Sequence, residues 1–108
     1  MTLYGRYIAE REDFSIIETD QGFATFKVVA NTIYLRDLFV LPEFRRSKVA
    51  SELCDQVCRV GRNLDCATLV GSLDPKALNA NESLSAIMSY GMKLKGQQGS
   101  LLYFEKGL

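Results

Sequence analysis

The chain has 108 residues, of which 47% are hydrophobic, and its 13 basic and 13 acidic side chains cancel. This length allows one compact domain spanning residues 1–108 and is too short for two ordinary domains. The zero net charge argues against a nucleic-acid or membrane-surface partner, and no apolar run approaches the ~20 residues that cross a bilayer, so we expect a cytoplasmic protein.

The first element in chain order is a short amphipathic helix. Leu3, Tyr4, Tyr7 and Ile8 recur at helical spacing, and charged side chains occupy other positions around them. We expect this helix to cover one face of a sheet.

Three extended segments follow and predict an antiparallel meander. Residues 14–19 and 23–29 are rich in β-branched and aromatic side chains, and Gly22 between them suits the positive φ of a hairpin loop. The third strand is expected over residues 32–41, where Pro42 stops it.

The third strand has an irregular apolar pattern. Ile33 and Leu35 share one parity, Leu38 and Val40 share the other, and the polar pair at 36–37 lies between them. A β-bulge at the polar pair would return all four apolar side chains to one buried face. A strand buried on both faces, without a bulge, explains the pattern almost as well.

A longer helix is expected from Ser47 to Val60, where apolar residues have helical spacing and Gly61 is placed to cap the C terminus. The chain has three cysteines, which cannot all pair, and no histidine to complete a set of zinc ligands. We therefore expect no metal site, and free thiols that act as small apolar residues. These cysteines are Cys54, Cys58 and Cys66.

The C-terminal part predicts a further helix among short strands. Asn79 and Glu82 have the spacing of a capping box, so this helix should run from about Ala80 to Tyr90 and end at Gly91. The strands are expected at residues 67–70, 92–95 and 101–105, with residues 96–99 between the last two. The element order predicts an α/β fold, a mixed sheet with an N-terminal antiparallel meander, a central helix, and a second helix before a C-terminal strand pair.

The segment between the third strand and the long helix is the best place for binding chemistry. A helix start offers unpaired backbone amides and the positive end of the helix dipole, and three cations lie beside this one, at Arg45, Arg46 and Lys48. We expect a phosphate to bind there. The alternative is an ordinary solvated helix start. Nucleic-acid binding by the same cations is opposed by the zero net charge.

This segment resembles the GNAT N-acetyltransferase signature, a strand with the pattern Leu-x-Val-x-Pro followed by Arg or Gln-x-x-Gly-x-Gly or Ala at a helix start. Here the strand reads Leu38-Phe39-Val40-Leu41-Pro42, and the helix start reads Arg45-Arg46-Ser47-Lys48-Val49-Ala50. Asn79 or Asn81 and the Gly91-Met92 pair extend the likeness, which covers roughly residues 14–106. The resemblance implies a GNAT-like fold that uses acetyl-CoA to acylate a small-molecule or peptide amine.

The resemblance also implies the residues that hold acetyl-CoA. The backbone around Leu38 and Val40 would pair with the pantetheine arm, and the amides of residues 46–51 would hold the pyrophosphate. The complete predicted cofactor-binding set is Leu38, Phe39, Val40, Arg45, Arg46, Ser47, Lys48, Val49, Ala50, Ser51 and Asn81.

Two departures from the family pattern concern catalysis. Lys48 stands where the family usually has glycine, and Ile87 or Met88 stands where it often has the tyrosine that protonates the departing thiolate. We predict Tyr90 and Asp37 as the catalytic pair, with Asp37 acting as a base through water. Glu43 is the alternative carboxylate for the role of base. Each also has a structural interpretation, Tyr90 as a packed aromatic and Asp37 as a residue that stabilises a bulge.

The two departures also define an alternative function. A GNAT-like binding or regulatory module that has lost transfer chemistry, and that could act through a homodimer surface, would tolerate both substitutions.

Overall fold

The computed structural model describes residues 3–108. Its elements are α1 (Leu3–Glu12), β1 (Ser15–Glu18), β2 (Gly22–Val29), β3 (Thr32–Val40), a short 3-10 turn (Pro42–Phe44), α2 (Val49–Asn63), β4 (Thr68–Leu73), α3 (Ala80–Ser89), β5 (Lys93–Gln98) and β6 (Leu101–Gly107). This order of helices and strands confirms the sequence prediction, although several elements end a few residues later. No helix within residues 3–108 is long and apolar enough to span a membrane.

All six strands belong to one sheet, in the order β1-β2-β3-β4-β6-β5. The strands β3 and β4 pair in parallel, and every other neighbouring pair is antiparallel. The sheet is therefore mixed, as predicted, and its one parallel pair lies at the centre.

The core lies between this sheet and α2. Leu53 and Val57 of α2 are fully buried, and they belong to one apolar cluster with Ile33, Leu69 and Phe104 of the strands. All three cysteines are buried free thiols, as expected for small apolar residues. At the N terminus, the side chains of Leu3 and Tyr7 are exposed, while those of Tyr4 and Ile8, from the predicted apolar stripe, lie outside the described residues.

The register of β2 and β3 confirms the bulge. Thr25 pairs with Asp37 and Phe26 pairs with Leu35, so Arg36 is an extra residue without a partner on β2. The extra residue returns Leu38, which pairs with Ala24, to the face of Leu35. The prediction that this face buries all four apolar side chains is wrong for Leu38, which is 39% exposed because the strand there extends past the core.

Two glycines have roles other than those predicted. Gly61 does not cap α2, which continues to Asn63; a Cβ at Gly61 would lie 2.9 Å from Leu108 Cδ1 and 3.0 Å from Ile33 Cγ2. Gly22 is not among the described residues with positive φ; it begins β2, where a Cβ would lie 2.2 Å from the carbonyl oxygen of Phe39. Gly22 packs against the backbone of Phe39 and Gly61 against side chains of distant residues, which a local turn pattern cannot reveal.

The prediction for α3 is wrong at the N-terminal end of the helix and right at the C-terminal end. Asn79 precedes the helix with left-handed φ and ψ of 63° and 26°, and its side chain makes no capping hydrogen bond, so the predicted capping box with Glu82 is wrong. A cap normally needs extended backbone to bring its side chain onto the first amides. The predicted stop at Gly91 is confirmed: its φ is 96°, and the amide of Met92 donates to the carbonyl of Ile87 at 3.3 Å.

The loop between β5 and β6 is shorter than predicted. Gln98 pairs with Leu101, so only Gly99 and Ser100 connect the two strands.

Candidate active site

The central parallel strands separate along their length. Pairing of β3 with β4 runs from Thr32 and Thr68 to Leu35 and Gly71. Beyond Leu35, β3 continues beside β2, and β4 continues beside β6, so a gap opens between their carboxyl ends. Ligands of open α/β sheets bind at such carboxyl ends.

The edge of β3 presents backbone amides to this gap. The amide of Asp37 donates to Thr25 Oγ1 at 3.1 Å and the amide of Leu41 donates to the carbonyl of Gln21 at 2.8 Å, so both face β2. Successive residues of a strand turn their amides to alternate sides, so those of Leu38 and Val40 face the gap. The predicted binding residues Leu38 and Val40 therefore line it through their backbone.

The start of α2 supplies a second group of donors. Within residues 3–108, no backbone amide from Arg46 to Ser51 donates to a protein acceptor; the first helical bond joins the amide of Glu52 to the carbonyl of Lys48 at 2.9 Å. Free amides together with the helix dipole form an anion site. Because this segment follows β3, the site lies at the same end of the sheet as the gap.

Arg45 joins the strand to the helix start. Its Nε donates to the carbonyl of Val40 at 3.0 Å, and its guanidinium lies 5.8 Å from the centre of the Phe39 ring. The carbonyl of Val40 points the same way as its amide, so the Arg45 side chain stands at the mouth of the gap. Phe39 also packs on Phe23, with ring centroids 5.6 Å apart.

The turn residues beside Arg45 have distinct conformations. Arg46 has a left-handed φ of 62°, and Ser47 Oγ donates to the carbonyl of Phe44. Lys48 is exposed, and its φ of −88° suits any residue, so its backbone does not require the glycine of the family pattern.

The other predicted binding residues differ in exposure. The side chain of Val49 is buried in the core, that of Ala50 is half-buried and that of Ser51 is exposed, so their amides are the groups available to a ligand. Asn81 is exposed in the first turn of α3 and is one of the residues 75–82 that line an open depression. This depression follows the end of β4, so Asn81 lies beyond that strand and not on the α2 turn.

The two predicted catalytic residues are not brought together. The carboxylate of Asp37 accepts hydrogen bonds from Thr25 Oγ1 at 2.7 Å and from Arg36 Nε at 2.8 Å, which ties it to the bulge. The hydroxyl of Tyr90 instead donates to Asp55 Oδ1 on α2 at 2.6 Å.

Further contacts hold Tyr90 in place. The ammonium of Lys106 lies 4.2 Å from the centre of its ring and donates to its carbonyl oxygen at 3.1 Å. Burial, and then the hydrogen bond to Asp55, raises the pKa of the Tyr90 hydroxyl above its ordinary value. These contacts support the structural interpretation of Tyr90.

Three hydroxyl groups that the sequence did not single out lie at the base of the gap. Ser72 is the first residue of β4 beyond the last β3–β4 pair; the hydroxyl of Tyr34 donates to its Oγ at 3.4 Å, and Tyr103 is its partner on β6. Phe104 points into the core, so Tyr103 lies on the opposite face of the sheet from α2. Only the strand register brings these residues together, and no local motif could have found them.

The fold and this geometry define an α/β protein that can hold an anionic ligand where its central strands part. The family model described as the acetyltransferase (GNAT) family matches residues 4–83, and the chain belongs to this family. Both the resemblance noted in the sequence and the fold it implied are thereby confirmed.

Solved structures of acetyltransferases share this fold. PaiA N-acetyltransferase from Thermoplasma acidophilum, solved with coenzyme A, is 18% identical and superposes with a TM-score of 0.79 over 98% of this chain and 69% of that chain. A Bacillus subtilis acetyltransferase, also solved with coenzyme A, is 11% identical, with a TM-score of 0.73 over 95% of this chain and 83% of that chain. Ribosomal-protein-alanine N-acetyltransferase from Brucella melitensis is 16% identical, with a TM-score of 0.69 over 100% of this chain and 80% of that chain. No curated protein matches the chain in sequence.

Proposed function

We propose that the chain is an acetyl-CoA-dependent N-acyltransferase whose acceptor is the amine of a small molecule or peptide. The observation that carries the proposal is the group of free amides from Arg46 to Ser51 beside the gap lined by the amides of Leu38 and Val40. Family membership and two similar structures solved with coenzyme A support it.

The residues present fit coenzyme A. Its pyrophosphate is an anion that the amides at the start of α2 and the nearby cations can hold. Its extended arm carries amide groups, which can hydrogen-bond to the free edge of β3 as a neighbouring strand would. The side chain of Lys48 is exposed, and its backbone φ of −88° needs no glycine.

When bound, acetyl-CoA supplies an acetyl group activated as a thioester. The amides of Leu38 and Val40 can stabilise the negative charge that develops during transfer. The attacking amine loses a proton and the departing thiol gains one, so proton carriers near the gap matter. The hydroxyls of Tyr34, Ser72 and Tyr103 lie at the base of the gap, where they could accept one proton while donating another.

The proposed catalytic roles of Asp37 and Tyr90 can be tested against their structural contacts. Asp37→Asn keeps a side-chain oxygen that can accept the hydrogen bond from Thr25 Oγ1, but it removes the carboxylate that would act as the base. Tyr90→Phe removes only the hydroxyl that donates to Asp55. A general acid or base contributes about 10²–10⁴-fold to rate, so its loss is distinguishable from a change in stability alone.

The non-catalytic alternative rests on two grounds, Lys48 and the missing tyrosine of the second helix. Its argument from Lys48 required the side chain to obstruct the phosphate turn, and that side chain is exposed with a backbone that needs no glycine. Its second ground remains in the structure: Ile87 is a half-buried residue packed against the core, and it cannot carry a proton.

Calorimetric titration with coenzyme A tests the proposed site. Arg45→Glu reverses a charge at the mouth of the gap, and Arg59→Glu is the matched control on the exposed face of α2. We expect the first variant to weaken binding at least about tenfold and the second to change it less than about threefold.

Acetyl transfer is then measured as thiol release from acetyl-CoA in the presence of a panel of primary amines and N-terminal peptides. The protein's own thiols are buried and should not react with the thiol reagent. Equal losses of coenzyme A affinity in both arginine variants would indicate diffuse electrostatic attraction and contradict a local site. No binding by the wild type at millimolar coenzyme A would refute the proposal.

A further inference from the structure

The extra residue of the bulge is held by groups from outside β3. Arg36 Nη2 lies 2.7 Å from Glu12 Oε2, at the last residue of α1, and Arg36 Nε lies 2.8 Å from Asp37 Oδ2. The guanidinium also stacks on the ring of Phe14, 4.0 Å from its centre. The planar side chain of arginine can satisfy two carboxylates and one aromatic face at once, which lysine cannot.

Thr25 completes this network from β2. Its hydroxyl donates to Asp37 Oδ2 at 2.7 Å and accepts from the amide of Asp37 at 3.1 Å. Among the side chains whose burial the structure describes, it is the only buried polar one, with 1% of its surface exposed. Its hydroxyl therefore supplies an acceptor for the amide of Asp37, which faces β2 next to the bulge.

The bulge decides which amides face the gap. A strand shifted by one residue turns every side chain to the other face and every amide to the other edge. If the same sequence paired with β2 regularly, without the bulge, the amides of Leu38 and Val40 would point toward β2, and their side chains would leave the face of Leu35. The groups that hold the bulge therefore control the edge that a ligand would meet.

We propose that Glu12, Arg36, Asp37 and Thr25 form a clamp that fixes the opening between β3 and β4, with Arg36 and Thr25 as positioning residues for the arm of acetyl-CoA. The inference rests on the proposed function, because the arm is the ligand that the edge of β3 would bind. It also assigns α1 a role in the site, since Glu12 connects that helix to the cleft strand.

Two ligands distinguish binding of the pantetheine arm of coenzyme A from binding of its phosphates. Coenzyme A carries both, whereas 3′-phosphoadenosine 5′-diphosphate is its nucleotide part without the arm. The nucleotide meets the start of α2, which the clamp does not touch. We expect Arg36→Met and Thr25→Val each to weaken coenzyme A at least about tenfold in calorimetric titrations, and to change nucleotide binding less than about twofold.

Lys27→Met is the matched control. The ammonium of Lys27 lies 3.5 Å from Asp13 and 5.8 Å from the centre of the same Phe14 ring, yet among the described residues no hydrogen bond or ion pair joins it to the clamp. Its removal should leave the affinity for both probes unchanged. Thermal unfolding of every variant identifies a temperature at which all of them are folded, and the titrations are done there.

Thr25→Ser and Glu12→Gln keep the test decisive if Thr25→Val does not fold. The serine variant retains the hydroxyl and should bind coenzyme A like the wild type, while the exposed Glu12→Gln change should weaken coenzyme A selectively. Equal loss of both probes from Arg36→Met, or no loss of coenzyme A, would overturn the clamp. Failure of the wild type to bind either probe would instead overturn the proposed function.

Discussion

Replacing Gly22 with alanine tests how closely β2 must approach the cleft strand. The added Cβ would lie 2.2 Å from the carbonyl oxygen of Phe39. Ordinary carbon–oxygen contacts are about 3.3 Å or longer, so the strands must separate by roughly 1 Å. The obstacle is backbone, which cannot rotate aside as a side chain can.

The expected cost follows from two opposing effects. Overpacking costs about 1–3 kcal/mol, and a clash with backbone belongs at the upper end of that range. Alanine returns roughly 0.5–1 kcal/mol because it has less conformational freedom to lose than glycine. We therefore expect Gly22→Ala to lower the free energy of unfolding by about 2 kcal/mol, or about 8 °C or more in Tm.

Urea unfolding measures this loss, and Gly96→Ala is the control. Gly96 also lies in a strand, but a Cβ there would meet nothing within 4 Å. The control should be neutral or stabilised by up to about 1 kcal/mol. Because Phe39 lies between Leu38 and Val40, Gly22→Ala should also weaken coenzyme A. Equal stability of the two variants would refute the close approach of β2 and β3.

Three other perturbations have expected outcomes. Lys48→Gly should change coenzyme A affinity less than about threefold, because the side chain is exposed; a tenfold gain by titration would show that the lysine obstructs the turn. Tyr90→Phe should lower the free energy of unfolding by about 1 kcal/mol, because the hydrogen bond to Asp55 is lost, and should leave kcat within a few-fold of the wild-type value. A hundredfold fall in kcat at unchanged stability would instead identify Tyr90 as a general acid. Burial raises the pKa of the Cys54 thiol from 9.0 to about 12, so the folded state keeps a proton that the unfolded state loses. Stability should therefore be full below pH 9 and fall as pH rises toward 12, and a profile unchanged by Cys54→Ala in that range would contradict this.

The apolar pattern of β3 shows what sequence can predict here. The apolar residues change parity between Leu35 and Leu38, which predicted a bulge at the polar pair between them. The strand register confirms the bulge. The cations and amides before α2 were predicted from local chemistry in the same way. Such features depend on neighbours within a few residues, which a single sequence displays.

The remaining features depend on distant partners. The small size of Gly61 is explained by the neighbouring side chains of Ile33 and Leu108, and not by the helix end that it was expected to cap. Glu12 meets Arg36 only after three strands have folded. The spacing of residues along the chain does not indicate which distant residues will be in contact, so the clamp could not be predicted from the sequence.

The alternation of amides along β3 has a consequence for hydrogen exchange. The amides of Asp37 and Leu41 are bonded toward β2, whereas those of Leu38 and Val40 face the gap. A free chain should then show slow and fast deuterium uptake in adjacent residues of one strand. A ligand arm seated against this edge would act as a surrogate strand, and the two fast amides would slow together. In the proposed complex, the arm of acetyl-CoA would therefore complete the open edge of β3 as a neighbouring strand does.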